Sequence, residues 1–361
     1  MLFMTHANLL KSDNNRWNQM GSFDLRMATH YFGQLNTAEA VTVYSLRPES
    51  LVGWVNKNSE KVMLDTKATD DVFFRVFDLT FLYGKAFDES LSEQGAKVAI
   101  VNQSTARKLF EQEDAVNRMF YLDHVPYRVI GVVKDVSPIA QNAYAQVWIP
   151  YHSKDMGRYT IGILASSTAD FGKIRTECEQ QAVLYTKENS PWELKLNGQP
   201  DELLISKERT RVTPDKVNIY LQRVLVFLLV LLVPAINLSS LSQSRMSFRL
   251  SEIGIRRAFG STRFAVLMQL LNENMVLTLI GGVLGFFASL AIVGLFGSDL
   301  IMARNYAVLN TNPFIEVDML FQFSVFLVAL AFCIALNLAT CLFAAWKAGS
   351  CNIVDALNVK K

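Results

Sequence analysis

Side chains that carry chemistry are scattered along this 361-residue chain, without the spacing of an active-site motif. The four histidines form no HxxxH pair, and the four cysteines show neither a CxxC pattern nor a disulfide framework. The sequence contains no GxSxG, no HExxH and no GxxxxGK[ST] phosphate loop. It therefore indicates no catalytic residue, no metal site and no bound cofactor, and its formal net charge of +2 gives no reason to expect nucleic acid.

The most patterned charged segment is SEIGIRRAFGSTR, at positions 251–263, between two long apolar runs. Placed on a helix, Phe248, Ile255 and Phe259 share one face, and the arginines on either side of Glu252 share another. This pattern indicates a short amphipathic helix. A positively charged loop that only anchors the membrane topology would have the same composition.

The residues that follow this helix predict how it is joined to the next one. Gly260 is placed to end it, because glycine adopts positive φ without strain. Ser261 or Thr262 can then cap the helix that enters the next apolar run. We expect a rigid junction through which a push from a cytoplasmic partner reaches the neighbouring helices.

Three apolar runs, at 224–241, 275–297 and 319–346, have the length of membrane-spanning helices. A buried helix of a soluble protein would explain one such run, but three favour a membrane bundle. In the second run a small residue recurs every fourth position, at Gly281, Gly285 and Ser289. This stripe predicts close helix–helix packing, although glycine is also simply common in membrane helices.

The Lys and Arg content of the short loops predicts the orientation of the chain. The loop between the first two runs contains five arginines, whereas the loop between the second and third contains only Arg304. We therefore expect the first loop and the tail 347–361 to be cytoplasmic and residues 1–216 to lie outside. The expected domains are this external domain, a transmembrane domain over 217–346 with its cytoplasmic helix at 245–260, and the tail.

An external domain of more than 200 residues has to be exported, yet the first residues contain no apolar core of a signal peptide. We therefore expect a further membrane helix upstream of Met1, which would give four spans in the complete protein.

The external half is expected to be an α+β domain. A β-prone run ends at Gly84, and a helix at 105–110 is expected to be capped by Ser104. The other expected elements are strands at 97–102, 127–136, 145–151 and 160–166 and an amphipathic helix at 169–189.

The segment SEIGIRRAFGSTRFAVLMQLLNENMVLTLIGGVLG closely resembles the signature of FtsX/MacB-type permeases of ABC transporters. In that family a cytoplasmic EIGIRRALGA sequence precedes a Gln, a Glu and a glycine-rich helix, which correspond here to 252–260, Gln269, Glu273 and 281–285. The tail AAWKAGSCNIVDAL and the sequence from about Asp70 onwards are similar to the family's C-terminal and periplasmic sequences. Asn117 stands where the family usually has Gly, and the tail lacks the family's Pro.

The resemblance implies a multi-pass permease of the bacterial inner membrane, without ATPase activity of its own. A separate ABC ATP-binding subunit would use ATP and Mg²⁺, and a second copy or paralogue of the permease would complete the system. The implied contacts of the ATPase are on the cytoplasmic helix: Arg249, Glu252, Ile253, Gly254, Ile255, Arg256, Arg257, Phe259 and Gly260. Glu273, near the inner end of a span, is either a functional ionisable group or a solvated one at the interface.

Three functions are compatible with these residues. The first is export of a peptide, a drug or a lipid-linked cargo, with a periplasmic adaptor. The second is a signalling scaffold that activates a periplasmic cell-wall hydrolase without transport. The third is a membrane-anchored enzyme whose site lies in residues 1–216.

Overall fold

A computed structural model describes residues 1–11, 17–56, 59–209, 215–230, 259–305 and 323–349, together with positions 232, 236, 244 and 255. The chain divides into two compact units. The N-terminal unit comprises Met1–Lys216 and Ser298–Ile315, and the helical unit comprises Val217–Gly297 and Glu316–Lys361. The first boundary lies where the apolar runs begin.

The N-terminal unit is an α+β domain, as predicted. Its strands are β1 Leu2–Met4, β2 Ala7–Lys11, β3 Trp17–Gly21, β4 Ala40–Ser45, β5 Glu49–Trp54, β6 Val62–Thr69, β7 Phe81–Gly84, β8 Val98–Asn102, β9 Met119–Leu122, β10 Val125–Val133, β11 Val147–Pro150, β12 Tyr159–Leu164, β13 Trp192–Lys195 and β14 Asp201–Glu202. Its helices are α1 Leu25–Phe32, α2 Phe73–Val76, α3 Glu89–Glu93, α4 Gln103–Phe110, α5 Phe171–Glu188 and α6 Leu203–Glu208.

The larger sheet has the strand order β11-β8-β10-β9-β5-β6-β4-β12-β1-β14, with β7 paired to β10. Strand β11 also pairs with β6, so the six strands from β11 to β6 form a closed circuit. The pairs β8–β10 and β6–β11 are parallel, while β13, β2 and β3 form a separate small sheet. The core lies against these strands and includes fully buried Leu64, Val101, Val129 and Ile149.

Strand β1 lies between β12 and β14 and is antiparallel to both. Leu2 is opposite Ile163 on one side and Glu202 on the other. The first strand of this unit and the last one therefore lie side by side. Helix α6 follows β14 directly, and its residue Ile205 is buried.

Several predicted elements are confirmed, and two details are wrong. Strands at 98–102, 147–150 and 159–164 and the helix at 171–188 lie where the apolar pattern places them. The β-prone run ends in strand β7 at Gly84, as predicted, but its first part contains helix α2. Just before this helix the carboxylate of Asp70 accepts a hydrogen bond from the Phe73 amide at 2.9 Å. The cap of α4 is Asn102, whose side chain accepts from the Thr105 amide, whereas the Ser104 amide donates to Asp135 at 3.0 Å.

The chain continues with helical backbone over 216–230, a long helix Arg263–Asn305 and a last helix Phe323–Gly349. Among the residues that the structure describes, one segment, Met275–Phe296, is long and apolar enough to cross a membrane; Phe323–Leu336 is a shorter apolar helix. Half of the first predicted run lies outside the described residues, so the count of three spans stays a prediction. The long helix has 43 residues and therefore a length of about 65 Å.

Candidate functional site

The turn that precedes the long helix has the predicted junction geometry. The Phe259 amide donates to the carbonyl of Ile255 at 3.1 Å, which closes one helical turn. Gly260 follows with φ +93°, a conformation that ends a helix and that residues with a Cβ rarely adopt. The hydroxyl of Thr262 then accepts a hydrogen bond from the Ala265 amide at 3.2 Å, which caps the long helix. The roles predicted for Gly260 and Thr262 are confirmed.

Two apolar side chains on this turn are accessible to a partner. Ile255 is 51% exposed and Phe259 is 89% exposed. They are four positions apart, so they lie on one face of the turn. The other residues predicted to contact an ATPase are outside the described residues: Arg249, Glu252, Ile253, Gly254, Arg256 and Arg257.

The long helix packs against the last helix through a different face from the predicted small-residue stripe. A Cβ at Gly282 would lie 2.6 Å from Cδ1 of Leu330, so the two helices touch at this glycine. The ring of Phe286, one turn further on, contacts those of Phe323 and Phe326, with centroids 6.4 and 4.8 Å away. Close packing of the glycine-rich helix is thus present at Gly282.

Among the residues that the structure describes, none packs against the two glycines of the predicted stripe. A Cβ at Gly281 or Gly285 would meet no heavy atom within 4 Å. Ser289 donates its hydroxyl hydrogen bond to the Phe286 carbonyl in its own helix at 2.8 Å. The role of these three residues in packing therefore stays a prediction, and it now concerns contact with another chain. Glu273 lies on the long helix with an exposed side chain, two positions before Met275, where the apolar segment begins.

The N-terminal unit contains a buried lysine that the sequence pattern did not single out. Lys67 on β6 is fully buried, and its ammonium donates to the backbone carbonyls of Gln141 at 2.8 Å and Asn142 at 2.5 Å. The same ammonium lies 5.1 Å from the centre of the Tyr44 ring. Burial lowers the pKa of Lys67 to about 7.

A second buried charged group lies near the C-terminal end of the segment 1–216. Arg209 forms an ion pair with Asp201, and both side chains are almost completely buried. The guanidinium also donates to the Asn197 carbonyl at 3.2 Å. Next to them, the side-chain amide of Gln199 donates to the His6 carbonyl at 2.7 Å. The described residues contain no cluster of side chains that would hold a metal ion.

Comparison with known proteins identifies both parts of the chain. Residues 6–181 match the family model of the MacB-like periplasmic core domain. Residues 224–353 match the FtsX-like permease C-terminal domain. The two matches follow one another over most of the sequence, with the periplasmic domain first.

Curated relatives are named as ATP-binding/permease proteins. The macrolide export ATP-binding/permease protein MacB 1 of Yersinia pestis bv. Antiqua (strain Antiqua) is 31% identical over 228 residues, which are 62% of this chain and 34% of the relative. MacB of Escherichia coli O157:H7 is 28% identical over 242 residues, 65% of this chain and 36% of the relative. The chain thus spans about a third of the length of the curated relatives that it matches.

Two solved structures are similar to the N-terminal unit at low identity. The extracellular domain of the noncanonic ABC-type transporter YknZ from Gram-positive bacteria is 13% identical with a TM-score of 0.40, covering 54% of this chain and 99% of that one. The periplasmic region of MacB from Actinobacillus actinomycetemcomitans is 17% identical with a TM-score of 0.38, covering 54% of this chain and 87% of that one.

An α+β domain of the MacB periplasmic type followed by an FtsX-like helical domain defines a class of membrane permeases. This chain belongs to the FtsX/MacB-type permeases of ABC transporters. The resemblance noted in the sequence is confirmed.

Proposed function

We propose that this chain is the permease subunit of an ABC system in the bacterial inner membrane. A separate ATPase subunit binds the cytoplasmic turn, and its cycle of ATP hydrolysis moves the periplasmic domain to export a peptide, a drug or a lipid-linked cargo. The observation that carries the proposal is the exposed pair Ile255 and Phe259, which a capped junction joins to the long helix.

The exposed pair suits a docking site because the burial of apolar surface against a partner is favourable in water. A phenylalanine that is 89% exposed in the isolated chain has most of its surface available to a groove in the partner. Aromatic side chains in such grooves commonly dominate the binding energy of an interface. The ATPase supplies the nucleotide site with its Mg²⁺, since the 361 residues contain no phosphate loop.

The junction suits the transmission of movement because it is only two residues long. Gly260 and Ser261 are the two residues between the Ile255–Phe259 turn and Thr262, which caps the long helix. The long helix is continuous over 43 residues and contains no proline. A displacement of the turn therefore moves the start of a stiff element that is longer than the bilayer is thick. Dimerisation of two ATPase subunits on ATP binding would bring two permease subunits together through such turns.

The test is the ATP turnover of the ABC ATPase that co-purifies with this chain. Phe259→Gly removes the exposed ring, and Glu252→Lys reverses a charge on the predicted cytoplasmic helix. Each should abolish the stimulation of ATP turnover by the permease. Phe259→Leu is the matched control, because it keeps an apolar side chain at the same place and should retain most of the stimulation. Membrane insertion should be equal in all three variants.

Two results would contradict the proposal. One is normal stimulated turnover in both Phe259→Gly and Glu252→Lys. The other is the absence of any co-purifying ATPase. Stimulated turnover without movement of any cargo, together with co-purification of a cell-wall hydrolase, would favour the signalling function over export.

A further inference from the structure

A cleft in the N-terminal unit has a composition that the permease function does not explain. It has a volume of about 620 Å³ and opens where the turn between β4 and β5 meets the residues just before β12. Residues on these two segments, the start of the chain and the end of β3 form its walls. The lining includes His6, Gly21, Arg47, Glu49, Met156 and Arg158.

Two arginines line this cleft without a counter-ion of their own. Their positions are fixed by the backbone, since the Leu46 amide, next to Arg47, donates to the Arg158 carbonyl at 2.8 Å. Neither guanidinium forms an ion pair with any residue that the structure describes, although Glu49 lines the same cleft. With two guanidinium groups and one carboxylate, the cleft carries one positive charge in excess.

Two less polar side chains, Met156 and His6, also line the cleft. Met156 is buried and contributes its side chain to the lining. His6 is half-buried, and its Nδ1 lies 2.7 Å from the hydroxyl of Thr5. Burial, and then the charge of Arg209, lower the pKa of His6, so its ring is neutral at neutral pH. The net charge of the cleft therefore comes from Arg47, Arg158 and Glu49 alone.

We propose that this cleft binds a small organic anion whose charged group is a carboxylate or a phosphate ester. Planar guanidinium groups donate paired hydrogen bonds to both kinds of anion. The apolar part of the ligand contacts Met156 and the neutral ring of His6. The site lies within the N-terminal unit and does not depend on an ATPase partner. It is therefore tested independently of the proposed function.

The wall at Gly21 allows the cleft to be closed without removing a charge. A Cβ at this position would meet no heavy atom within 4 Å, and Gly21 does not need positive φ. A larger side chain here extends into open space, so Gly21→Leu should fold normally and occupy part of the cleft.

The experiment is isothermal titration calorimetry of the full chain in a non-ionic detergent. The probes are benzoate, phenyl phosphate, inorganic phosphate and benzylamine. Saturable binding of benzoate or phenyl phosphate at one site is expected, with weaker binding of inorganic phosphate and none of benzylamine. Tighter binding of benzoate would indicate a carboxylate ligand, and tighter binding of phenyl phosphate would indicate a phosphate ester.

Three variants and a control test the site itself. Arg47→Gln and Arg158→Gln should each weaken binding of the tighter aromatic anion at least tenfold, and Gly21→Leu should weaken it similarly with both arginines present. Arg118→Gln, an exposed arginine outside the cleft, should leave the affinity unchanged. The proposal is wrong if no anion binds more tightly than about 1 mM, if benzylamine competes, or if the three cleft variants bind like the unmodified chain.

Discussion

The buried ammonium of Lys67 should make the stability of the N-terminal unit rise with pH, and Lys67→Met should remove this rise. Burial lowers the native pKa of this lysine from 10.5 to about 7. In the unfolded chain a lysine keeps its proton up to about pH 10.4. Between these two values the unfolded state binds more protons than the native state, so the free energy of unfolding increases with pH. For this one group the increase between about pH 7 and about pH 9 is about 2 kcal/mol.

The substitution also removes the two hydrogen bonds to the carbonyls of Gln141 and Asn142, so Lys67→Met loses stability through these contacts at every pH. The informative quantity is therefore the difference in unfolding free energy between the unmodified chain and Lys67→Met, which should grow by about 2 kcal/mol over this range. Urea unfolding of the full chain in detergent, followed by tryptophan fluorescence, measures it, because Trp148 is fully buried in the same sheet.

The matched control is Lys134→Met, which changes an exposed lysine of the same unit and should leave the pH dependence unaltered. A difference between the unmodified chain and Lys67→Met that stays constant with pH would refute the reasoning. It would mean that Lys67 keeps its proton in the native state, held by the two carbonyls.

Two further substitutions test packing and buried charge. Gly282→Leu should lower the thermal midpoint of the helical unit in circular dichroism, since its Cβ would clash with Leu330, whereas Gly285→Leu should not; a loss of self-association in Gly285→Leu alone would support the predicted interchain role of the stripe. Arg209→Leu leaves the Asp201 carboxylate buried without its partner and should cost about 3–5 kcal/mol of unfolding free energy in urea, most of which should return when Asp201 is also replaced by Leu. Equal stability of the single and double variants would contradict this.

The sequence predicts the fold best where apolar residues follow one another without interruption. Strand β8, with the sequence VAIVN, is buried at every position, so its pattern and its environment agree. Strand β6 was not predicted, because its sequence VMLDTKAT places Asp65 and Lys67 at buried positions that a periodicity argument assigns to a surface. The Asp65 carboxylate accepts hydrogen bonds from the hydroxyls of Ser50 and Tyr144, and the Lys67 ammonium donates to backbone carbonyls. These partners are distant in sequence, so no local pattern reveals them.

The junction depends on residues that are close in sequence, whereas the cleft depends on residues that are far apart. Gly260 and Thr262 act on their immediate neighbours, so their residue types alone predict a helix end and a cap. The cleft unites His6 with Arg158, which are about 150 positions apart, through the pairing of β1 with β12. Its charge is a property of the strand order and could not be read before that order was known.

The pairing of β1 with β14 has a mechanical consequence. Because Leu2 faces Glu202, the polypeptide enters and leaves this part of the sheet at the same corner. Tension applied along both strands at that corner pulls β1 lengthwise past β12, so the rungs from Leu2–Ile163 to Met4–Ile161 bear the load together and do not peel apart one by one. Such an attachment resists force applied along the strands at that corner of the domain.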